Sequence, residues 1–374
     1  MPEWNGSMDR SVQRRPKTPT RDVASLCERF LAWVQPLLGT DQTPKITVQE
    51  PPGSSGFSSE TILFDLGWRN GAQTRSGSFV MRLPPASDAY PLFPAYDLGR
   101  QATAMKIVRA HTGAPVPTVC WEDFSGDVLG VPFFVMEQID GKPAPDMPPY
   151  VFDSWITAAS PAQLAQMEKA VVSTLAQIHR PSNTAEQLLP LELAAEGDSQ
   201  LTRHMTCQRA YYEWIRADSQ VPLVDACFAA LEERRPPTAD SPTISWGDAR
   251  LANLLFRDFE IVAVLDWESV AVGPRELDLG WLIYFRDYFQ RLAERYGRRG
   301  LPDFLPRERV VDRYTQLTGW EPRDLNWYID YAALRQALVS IRVSQRAIAF
   351  GERPEVSDPN DLILDRQYLE GMLS

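Results

Sequence analysis

The sequence predicts an α+β protein whose N-terminal part is rich in strands and whose C-terminal part is mainly helical. Apolar residues alternate with polar ones over 61–66 and again over 78–83, which indicates half-buried strands. After about position 150 the pattern is mainly helical instead, interrupted by one short β-rich segment over 244–267. These changes of period predict two lobes, over 21–139 and 140–374, which meet at the turn signal Asp140-Gly141.

Composition limits the class of protein this can be. The chain has 374 residues, of which 44% are hydrophobic and 23% charged, as in ordinary soluble proteins. The 38 basic and 49 acidic residues give a formal net charge of −11, which argues against nucleic acid as a partner. Four cysteines without CxxC spacing and three scattered histidines support neither a disulfide framework nor a zinc site.

The first residues and the apolar runs favour a cytoplasmic protein with no membrane partner. Residues 1–20 carry basic side chains but no apolar stretch of the kind found in signal peptides, so we expect a disordered tail there. The longest strongly apolar run, 128–136, contains a proline and is too short to cross a bilayer. Reduced thiols are the expected state of the cysteines in that compartment.

In the N-terminal part, helical and alternating patterns follow one another. An amphipathic helix is expected over 22–38, where apolar residues recur every three or four positions. A glycine- and serine-rich stretch then leads into two strands, which are most simply paired as an antiparallel meander. The elements predicted after the first helix are strands over 61–66 and 78–83, a helix over 97–110 and a buried strand over 133–138.

Helices dominate the C-terminal part. Ser160-Pro161 is a typical pair of N-cap and first helical residue, and the apolar stripe that follows it ends at His179. Further helices are predicted over 277–300, 306–317 and 323–350. Before them, the β-rich segment 244–267 holds the residues whose spacing is most informative about chemistry.

Three polar residues in that segment have the spacing expected for phosphoryl transfer. Asp248 lies in a tight glycine-containing turn, Asn253 follows at the start of a strand, and Asp266 ends the next strand. In such chemistry one carboxylate accepts the proton of an attacking hydroxyl, while a carboxamide and a second carboxylate hold magnesium on the nucleotide phosphates. Oxygen ligands suit a hard cation such as Mg²⁺. Any one of the three alone would more often cap a turn, so the prediction depends on their combination.

The segment 244–283 resembles the Brenner-type motif of the aminoglycoside phosphotransferases and their relatives. That family has HGD, four residues, Asn, a strand ending in LDWE and a DLAW-like helix, and this chain reads WGDARLAN, VLDWE and DLGW. The resemblance extends over about residues 45–350 and is closest to the branch of kinase-like domains fused to acyl-CoA dehydrogenases. It implies a bilobal protein-kinase-like fold, with ATP and Mg²⁺ as cofactors.

The resemblance also implies a role for individual residues. Asp248 matches the catalytic base, and Asn253 and Asp266 match the magnesium ligands. Arg82 occupies the place of the lysine that binds the nucleotide phosphates. The remaining nucleotide-binding candidates lie in the covering loop and at the adenine-side hinge strand: Ser55, Gly56, Phe57, Glu137 and Ile139.

The chain departs from the family pattern at three positions. Trp246 stands in place of a histidine that normally braces the loop, so its indole N–H needs another partner. Arg82 replaces lysine and presents a planar fork instead of a compact ammonium. The glutamate expected on the first-lobe helix is missing, with Gln101 or Ala102 in its place, so we expect lower nucleotide affinity.

Two further carboxylates are candidates for supporting roles. Glu268 could assist the metal or the substrate hydroxyl, or it could be a solvent-facing carboxylate at a strand end, and the sequence favours neither. Asp278 is expected to brace the catalytic loop from the start of the next helix.

The sequence says less about the acceptor. Residues 281–350 contain twelve arginines against eight acidic residues, which favours a neutral or anionic hydroxyl compound over a polycationic aminoglycoside. We therefore predict an ATP-dependent phosphotransferase that moves the γ-phosphoryl group to a hydroxyl of a small molecule. The alternative is a nucleotide-binding, catalytically silent regulator of the same fold. A non-catalytic scaffold and a kinase for protein side chains are weaker alternatives, the latter because the chain has no segment like the DFG-to-APE pattern.

Overall fold

The structure is a computed structural model that describes residues 21–40, 42–49, 59–86, 90–180, 185–216, 220–237 and 243–374. The predicted tail over 1–20 and the loop candidates Ser55, Gly56 and Phe57 lie outside these residues. Within the described residues a sheet forms most of the N-terminal part and helices form most of the C-terminal part, as predicted.

Among the described residues, five strands form an antiparallel N-terminal sheet with the order β1-β2-β3-β5-β4. They are β1 (Lys45–Val48), β2 (Glu60–Asn70), β3 (Gln73–Leu83), β4 (Val119–Asp123) and β5 (Phe133–Glu137). The predicted meander is confirmed, but β2 and β3 pair along their full length and the hairpin is longer than expected. Its far end projects from the core and is largely exposed, so the alternation of apolar residues does not reveal it.

Helix α1 (Val23–Leu37) packs on one face of this sheet. Phe30 is fully buried, and its ring centre lies 5.6, 6.0 and 5.9 Å from the ring centres of Phe64, Trp121 and Phe133. Such edge-to-face contacts between aromatic rings add to the burial of apolar area. The predicted amphipathic helix is therefore confirmed, and its apolar stripe closes the core of the sheet.

Helix α2 (Leu98–His111) packs both against strands β4 and β5 of the sheet and against the other lobe. Its buried residues Ala102, Met105 and Val108 belong to one hydrophobic cluster with the C-terminal helices. The side chains of β2, β3 and β5 that face α1 form a separate cluster. Helix α2 therefore connects the two lobes, and the predicted division at residue 139 stays a prediction.

The C-terminal part consists mainly of helices. They are α3 (Pro161–Ile178), α4 (Ala185–Leu188), α5 (Gln200–Arg216), α6 (Pro222–Glu233), α7 (Glu276–Arg295), α8 (Arg307–Thr318), α9 (Leu325–Ala349) and α10 (Arg366–Met372). Helix α3 has the predicted cap, since the side chains of Ser160 and Gln163 each accept a hydrogen bond from the other's backbone N–H. Helix α7 ends earlier than predicted because Gly297, with φ of 67°, follows its last turn. Among the described helices, none is both long and apolar enough to span a membrane.

Two small antiparallel sheets form the predicted β-rich segment. One contains β6 (Lys142–Pro143), β8 (Leu254–Arg257) and β9 (Glu260–Val264), and the other contains β7 (Thr243–Ser245) and β10 (Ala271–Gly273). The chain crosses from one sheet to the other twice, through the loops 246–253 and 265–270. These two loops carry the three polar residues that the sequence singles out.

Candidate active site

The loop after β7 can lie against the loop before β10 because residue 247 is glycine. Gly247 has φ of +89°, and a Cβ atom there would lie 2.1 Å from the backbone oxygen of Ser269. At the other end of the same contact, the Leu265 N–H donates a hydrogen bond to the carbonyl oxygen of Asn253 (2.9 Å). The backbone thus places the two loops side by side.

Asp278, at the start of α7, holds the first of these loops in place through hydrogen bonds. Its two carboxylate oxygens accept hydrogen bonds from the backbone N–H groups of Trp246 (2.7 Å) and Gly247 (2.8 Å) and from the Ser245 hydroxyl (2.9 Å). His179 Nε2 lies 2.9 Å from the same carboxylate. Asp278 is fully buried, and the predicted bracing role is confirmed by these bonds.

Trp246 connects the first loop to the second. Its indole N–H donates to the carbonyl oxygens of Leu265 (2.9 Å) and Asp266 (3.1 Å), and its ring packs against Trp267. The partner that the indole needs is therefore the backbone around the predicted metal ligand. Because this one buried N–H donates to two carbonyl oxygens of the second loop, the donor is satisfied and the two loops are held close together.

Asp248 is held in one orientation by three side chains. The Trp281 indole N–H donates to its Oδ1 (2.6 Å), and the Asn253 amino group donates to its Oδ2 (2.7 Å). Arg250 Nε lies 3.1 Å from both carboxylate oxygens. Such preorganisation is expected of a group that must meet a reacting hydroxyl in a fixed position.

Arg335 of α9 supports this arrangement from inside the helical lobe. Its guanidinium carbon lies 4.2 Å from the centre of a Trp281 ring, and its Nη2 donates to the carbonyl oxygen of Gly247 (2.7 Å). Burial lowers the pKa of Arg335, because the charged form is desolvated there. A buried arginine thus fixes both the loop that carries Asp248 and the ring that bonds to it.

Asn253 and Asp266 have the donor atoms and the surroundings that a magnesium ion requires. The Asn253 amino group is used by the backbone and side chain of Asp248, which turns its amide oxygen away from that residue. Within the described part of the chain, no group donates a hydrogen bond to the buried Oδ1 of Asp266. Burial raises the pKa of Asp266, Arg82 opposes this rise, and the nearby Asp248 adds to it. A divalent cation would offset these costs, so the two residues fit Mg²⁺.

A broader metal centre is not found in the described residues. They contain no cluster of three or more His, Cys, Asp or Glu side chains with metal-binding geometry. The candidate ligand pair combines one carboxylate with one carboxamide. Magnesium is commonly held in this way, by few protein ligands together with substrate phosphates and water.

Arg82 reaches the same place from the sheet. It lies on β3, its Nη1 donates to the Thr61 hydroxyl (2.9 Å), and its Nη2 is 3.8 Å from Asp266 Oδ1. Gln101 and Ala102, which take the place of the family's glutamate, are both buried on α2. Arg82 therefore has an ion-pair partner in the second loop rather than on the helix.

The hinge candidates lie where the sheet leads into the helical lobe. Glu137 ends β5, and its carboxylate accepts hydrogen bonds from the backbone N–H and the hydroxyl of Thr118. Its side chain therefore stabilises the strand, and its backbone N–H donates to the Thr118 carbonyl oxygen (2.9 Å). Ile139 is half-buried two residues later. Nucleotide binding by these residues stays a prediction.

Glu268 faces aromatic and cationic side chains rather than open solvent. Its charge, together with burial, raises the pKa of Tyr96 to about 12, with burial as the larger cause. The same carboxylate acts on Tyr211, whose hydroxyl donates to the carbonyl oxygen of Leu92. Arg342 lies close to both tyrosines. The solvent-facing interpretation of Glu268 is thus weakened, and a role toward metal or substrate stays a prediction.

Two residues that bond directly within the site were not singled out from the sequence. Trp281 belongs to the DLGW motif, but its bond to Asp248 crosses from a helix to a loop. Arg250 lies within WGDARLAN, and its Nη1 also donates to Asp146 (2.7 Å), which follows the hinge. The motif marks both positions, but only the fold shows which atoms they meet.

A family model described as the phosphotransferase enzyme family matches residues 52–310. Among curated proteins, acyl-CoA dehydrogenase family member 11 of Rattus norvegicus is 26% identical over 326 residues, which cover 82% of this chain and 37% of that protein. The chain thus spans little more than a third of the length of this relative. The resemblance to kinase-like domains of acyl-CoA dehydrogenase family proteins is confirmed.

Solved structures share the fold. A protein from Ralstonia eutropha JMP134, described as a candidate aminoglycoside phosphotransferase, superposes with a TM-score of 0.65 at 20% identity, covering 92% of this chain and 96% of that one. Aminoglycoside phosphotransferase APH(2'')-Ib, solved with ADP bound, has a TM-score of 0.51 at 11% identity, covering 91% and 98%. The predicted bilobal kinase-like fold is confirmed by these likenesses, which at such identities concern the fold alone.

Proposed function

The chain belongs to the phosphotransferase enzyme family. We propose that it transfers the γ-phosphoryl group of ATP to a hydroxyl group of a small molecule. The observation that carries the proposal is the joint placement of Asp248, Asn253 and Asp266. One amide connects Asp248 to Asn253, and one indole ties their loop to Asp266.

Asp248 acts as the base in this proposal. The acceptor hydroxyl gives its proton to the Asp248 carboxylate while its oxygen attacks the phosphorus atom. Trp281 and Asn253 keep the carboxylate from rotating, so the remaining lone pairs stay directed toward the cleft. Holding a base at hydrogen-bond distance from its proton is a condition for general-base catalysis.

Asn253, Asp266 and Arg82 serve the donor nucleotide. The amide oxygen of Asn253 and the carboxylate of Asp266 hold Mg²⁺, which when bound neutralises charge on the transferring phosphates. Arg82 presents its guanidinium from the sheet next to Asp266. Support for a nucleotide comes from the structural neighbour solved with ADP. The expected lower affinity from the missing glutamate remains part of the proposal.

The acceptor is proposed to be a neutral or anionic alcohol. This follows from the excess of arginine over acidic residues in 281–350. Phe285 of α7 lies near Asp248, with its ring centre 5.6 Å from the Arg250 guanidinium carbon, and adds an apolar surface beside the base.

Mg²⁺-dependent release of ADP from ATP tests the proposal. We would screen aminoglycosides, other amino alcohols and hydroxyacyl-CoA compounds with the wild type, with Asp248→Asn and with the exposed-site control Asp127→Asn. Turnover that depends on one acceptor, is lost in Asp248→Asn and is kept in Asp127→Asn is the expected result. Because Asp248→Asn sets an amino group opposite that of Asn253, thermal unfolding of this variant is measured alongside.

Two other outcomes would contradict the proposal. Thermal protection by ATP without turnover on any acceptor would favour the silent-regulator alternative. If ATP does not bind, the phosphotransferase proposal is wrong, because ATP is its phosphoryl donor.

A further inference from the structure

Arg250 places a guanidinium directly beside the proposed base. Its Nε lies 3.1 Å from both oxygens of Asp248, and its Nη1 donates to Asp146 at 2.7 Å. Burial lowers the pKa of Arg250, but the charges of Asp248 and Asp146 raise it by more, so the side chain stays cationic. About a quarter of the Arg250 side chain is exposed, so it is not sealed inside the core.

Orientation of Asp248 does not require this arginine. Trp281 and Asn253 already bond one carboxylate oxygen each. A guanidinium on both oxygens instead competes with the incoming hydroxyl for the lone pairs that a base needs. A third donor at this place is better explained by charge than by positioning.

The distribution of charge points the same way. Arg82 pairs with Asp266 on the side of the sheet, whereas Arg250 pairs with Asp248 on the side of α7. A bound triphosphate, and the phosphoryl group while it is being transferred, bring further negative charge between the two arginines. A planar guanidinium fork can bind two phosphoryl oxygens at once, which makes arginine well suited to this place.

We propose that Arg250 is a catalytic residue that binds the phosphoryl group during transfer, while Asp146 holds the guanidinium next to Asp248 beforehand. This inference rests on the proposed function. In the step, the acceptor oxygen forms a bond to the γ-phosphorus as the bond to the bridging oxygen of ATP breaks. The electron pair of that bond leaves with ADP, and the acceptor proton goes to Asp248. Arg250 donates hydrogen bonds throughout and loses no proton.

The test compares Arg250→Met and Arg250→Lys with the control Arg298→Met. Arg298 is exposed on the surface beyond α7 and pairs with Asp153. For each variant we would measure kcat, the KM for ATP, and the affinity for ADP alone and for ADP with Mg²⁺ and fluoroaluminate, a mimic of the transferring phosphoryl group.

Arg250→Met is expected to lower kcat by about 100- to 1,000-fold, the usual loss when one preorganised donor to a transition state is removed. Its affinity for ADP with fluoroaluminate should fall in parallel, while its affinity for ADP alone stays within about threefold. Arg250→Lys keeps the charge but loses the fork, so it should recover only part of both losses. Arg298→Met should behave as the wild type.

Three results would overturn the inference. One is a kcat for Arg250→Met within about threefold of the wild type, and another is an equal loss of affinity for ADP with and without fluoroaluminate, the sign of uniform binding. If Arg250→Met does not fold, a folded Arg250→Lys with wild-type kcat decides against it. In all three cases the wild type still turns over, so the proposed function survives. A wild type without acceptor-dependent turnover would remove both.

Discussion

Single residues show how the site tolerates departures from its family pattern. The sequence predicts that Trp246 needs a partner for its N–H, and the partners are the carbonyl oxygens of Leu265 and Asp266. Similarly, Arg82 has no glutamate partner on α2 and pairs with Asp266 instead. Residue types at these positions can be read from the motif. Their partners lie on other strands and loops, and only the fold brings them within bonding distance.

Replacing Trp246 with phenylalanine tests the indole bond. The change keeps an aromatic ring but leaves two buried carbonyl oxygens without their donor, so we expect stability to fall by about 1–3 kcal/mol. It should also lower kcat, because the loop with Asp248 is no longer tied to Asp266. Urea unfolding and turnover measure the two effects. Trp246→His, which retains a ring N–H, should lose less of both, and equal losses in the two variants would contradict this account.

Replacing Asp266 with asparagine tests the metal site. Its buried Oδ1 accepts no hydrogen bond within the described residues, and its charge lies close to that of Asp248. Removing this charge relieves its repulsion by Asp248 but also removes the ion-pair partner of Arg82, so the melting temperature without Mg²⁺ should change little. The stabilisation that Mg²⁺ and ATP give the wild type should disappear. A variant that Mg²⁺ and ATP still stabilise would rule out Asp266 as a ligand.

At the scale of whole elements, three helices were predicted almost to their ends. Helices α1, α3 and α9 lie close to their predicted ranges because apolar residues recur at helical spacing along each of them. Helix α5 was not predicted, because His204, Tyr211 and Tyr212 make up half of its six buried residues and interrupt the apolar stripe. The packing of α7 on α9 was also not predictable. It depends on Gly280, where a Cβ atom would lie 2.7 Å from the backbone of Tyr328.

The contact between the two catalytic loops makes a prediction for Gly247. In Gly247→Ala the new Cβ would meet the backbone oxygen of Ser269, and the positive φ adds strain, so the loops must separate. We expect a loss of more than about 2 kcal/mol of stability together with most of the turnover. Gly39→Ala is the matched control, because Gly39 also has a positive φ but open space around it.

Thermal unfolding and turnover of both glycine variants give the comparison. Gly39→Ala should lose about 1 kcal/mol and keep its turnover, which isolates the cost of the backbone conformation. Equal losses in the two variants would show that the approach to Ser269 is unimportant.

At the scale of the whole molecule, net charge proved to be a coarse guide. The excess of arginine in 281–350 includes side chains with internal partners: Arg291 with Asp365, Arg309 with Glu168, and Arg335 with the Gly247 carbonyl. These bonds stabilise the helical lobe. A count along the sequence cannot distinguish arginines that stabilise the fold from arginines that are available to an acceptor. It carries no information about which side of a helix a residue occupies.

The packing of α2 predicts that the two lobes unfold together. Met105 on α2 fills the cluster of the C-terminal helices, and Met81 on β3 fills the cluster under α1. Either methionine replaced by alanine should cost about 2–5 kcal/mol and shift one common transition. Circular dichroism and tryptophan fluorescence should report the same midpoint in each variant. Two separate transitions in Met81→Ala would show that the sheet unfolds by itself.

The division of the core into two clusters also determines which side chains would separate if the lobes tilted. A hinge movement between the two clusters would carry β2, β3 and α1, while the loop 265–270 belongs to the helical lobe. Arg82 would travel with the sheet while Asp266 stayed behind. The 3.8 Å between their side chains would lengthen in such a movement, and a nucleotide bound between them would oppose it.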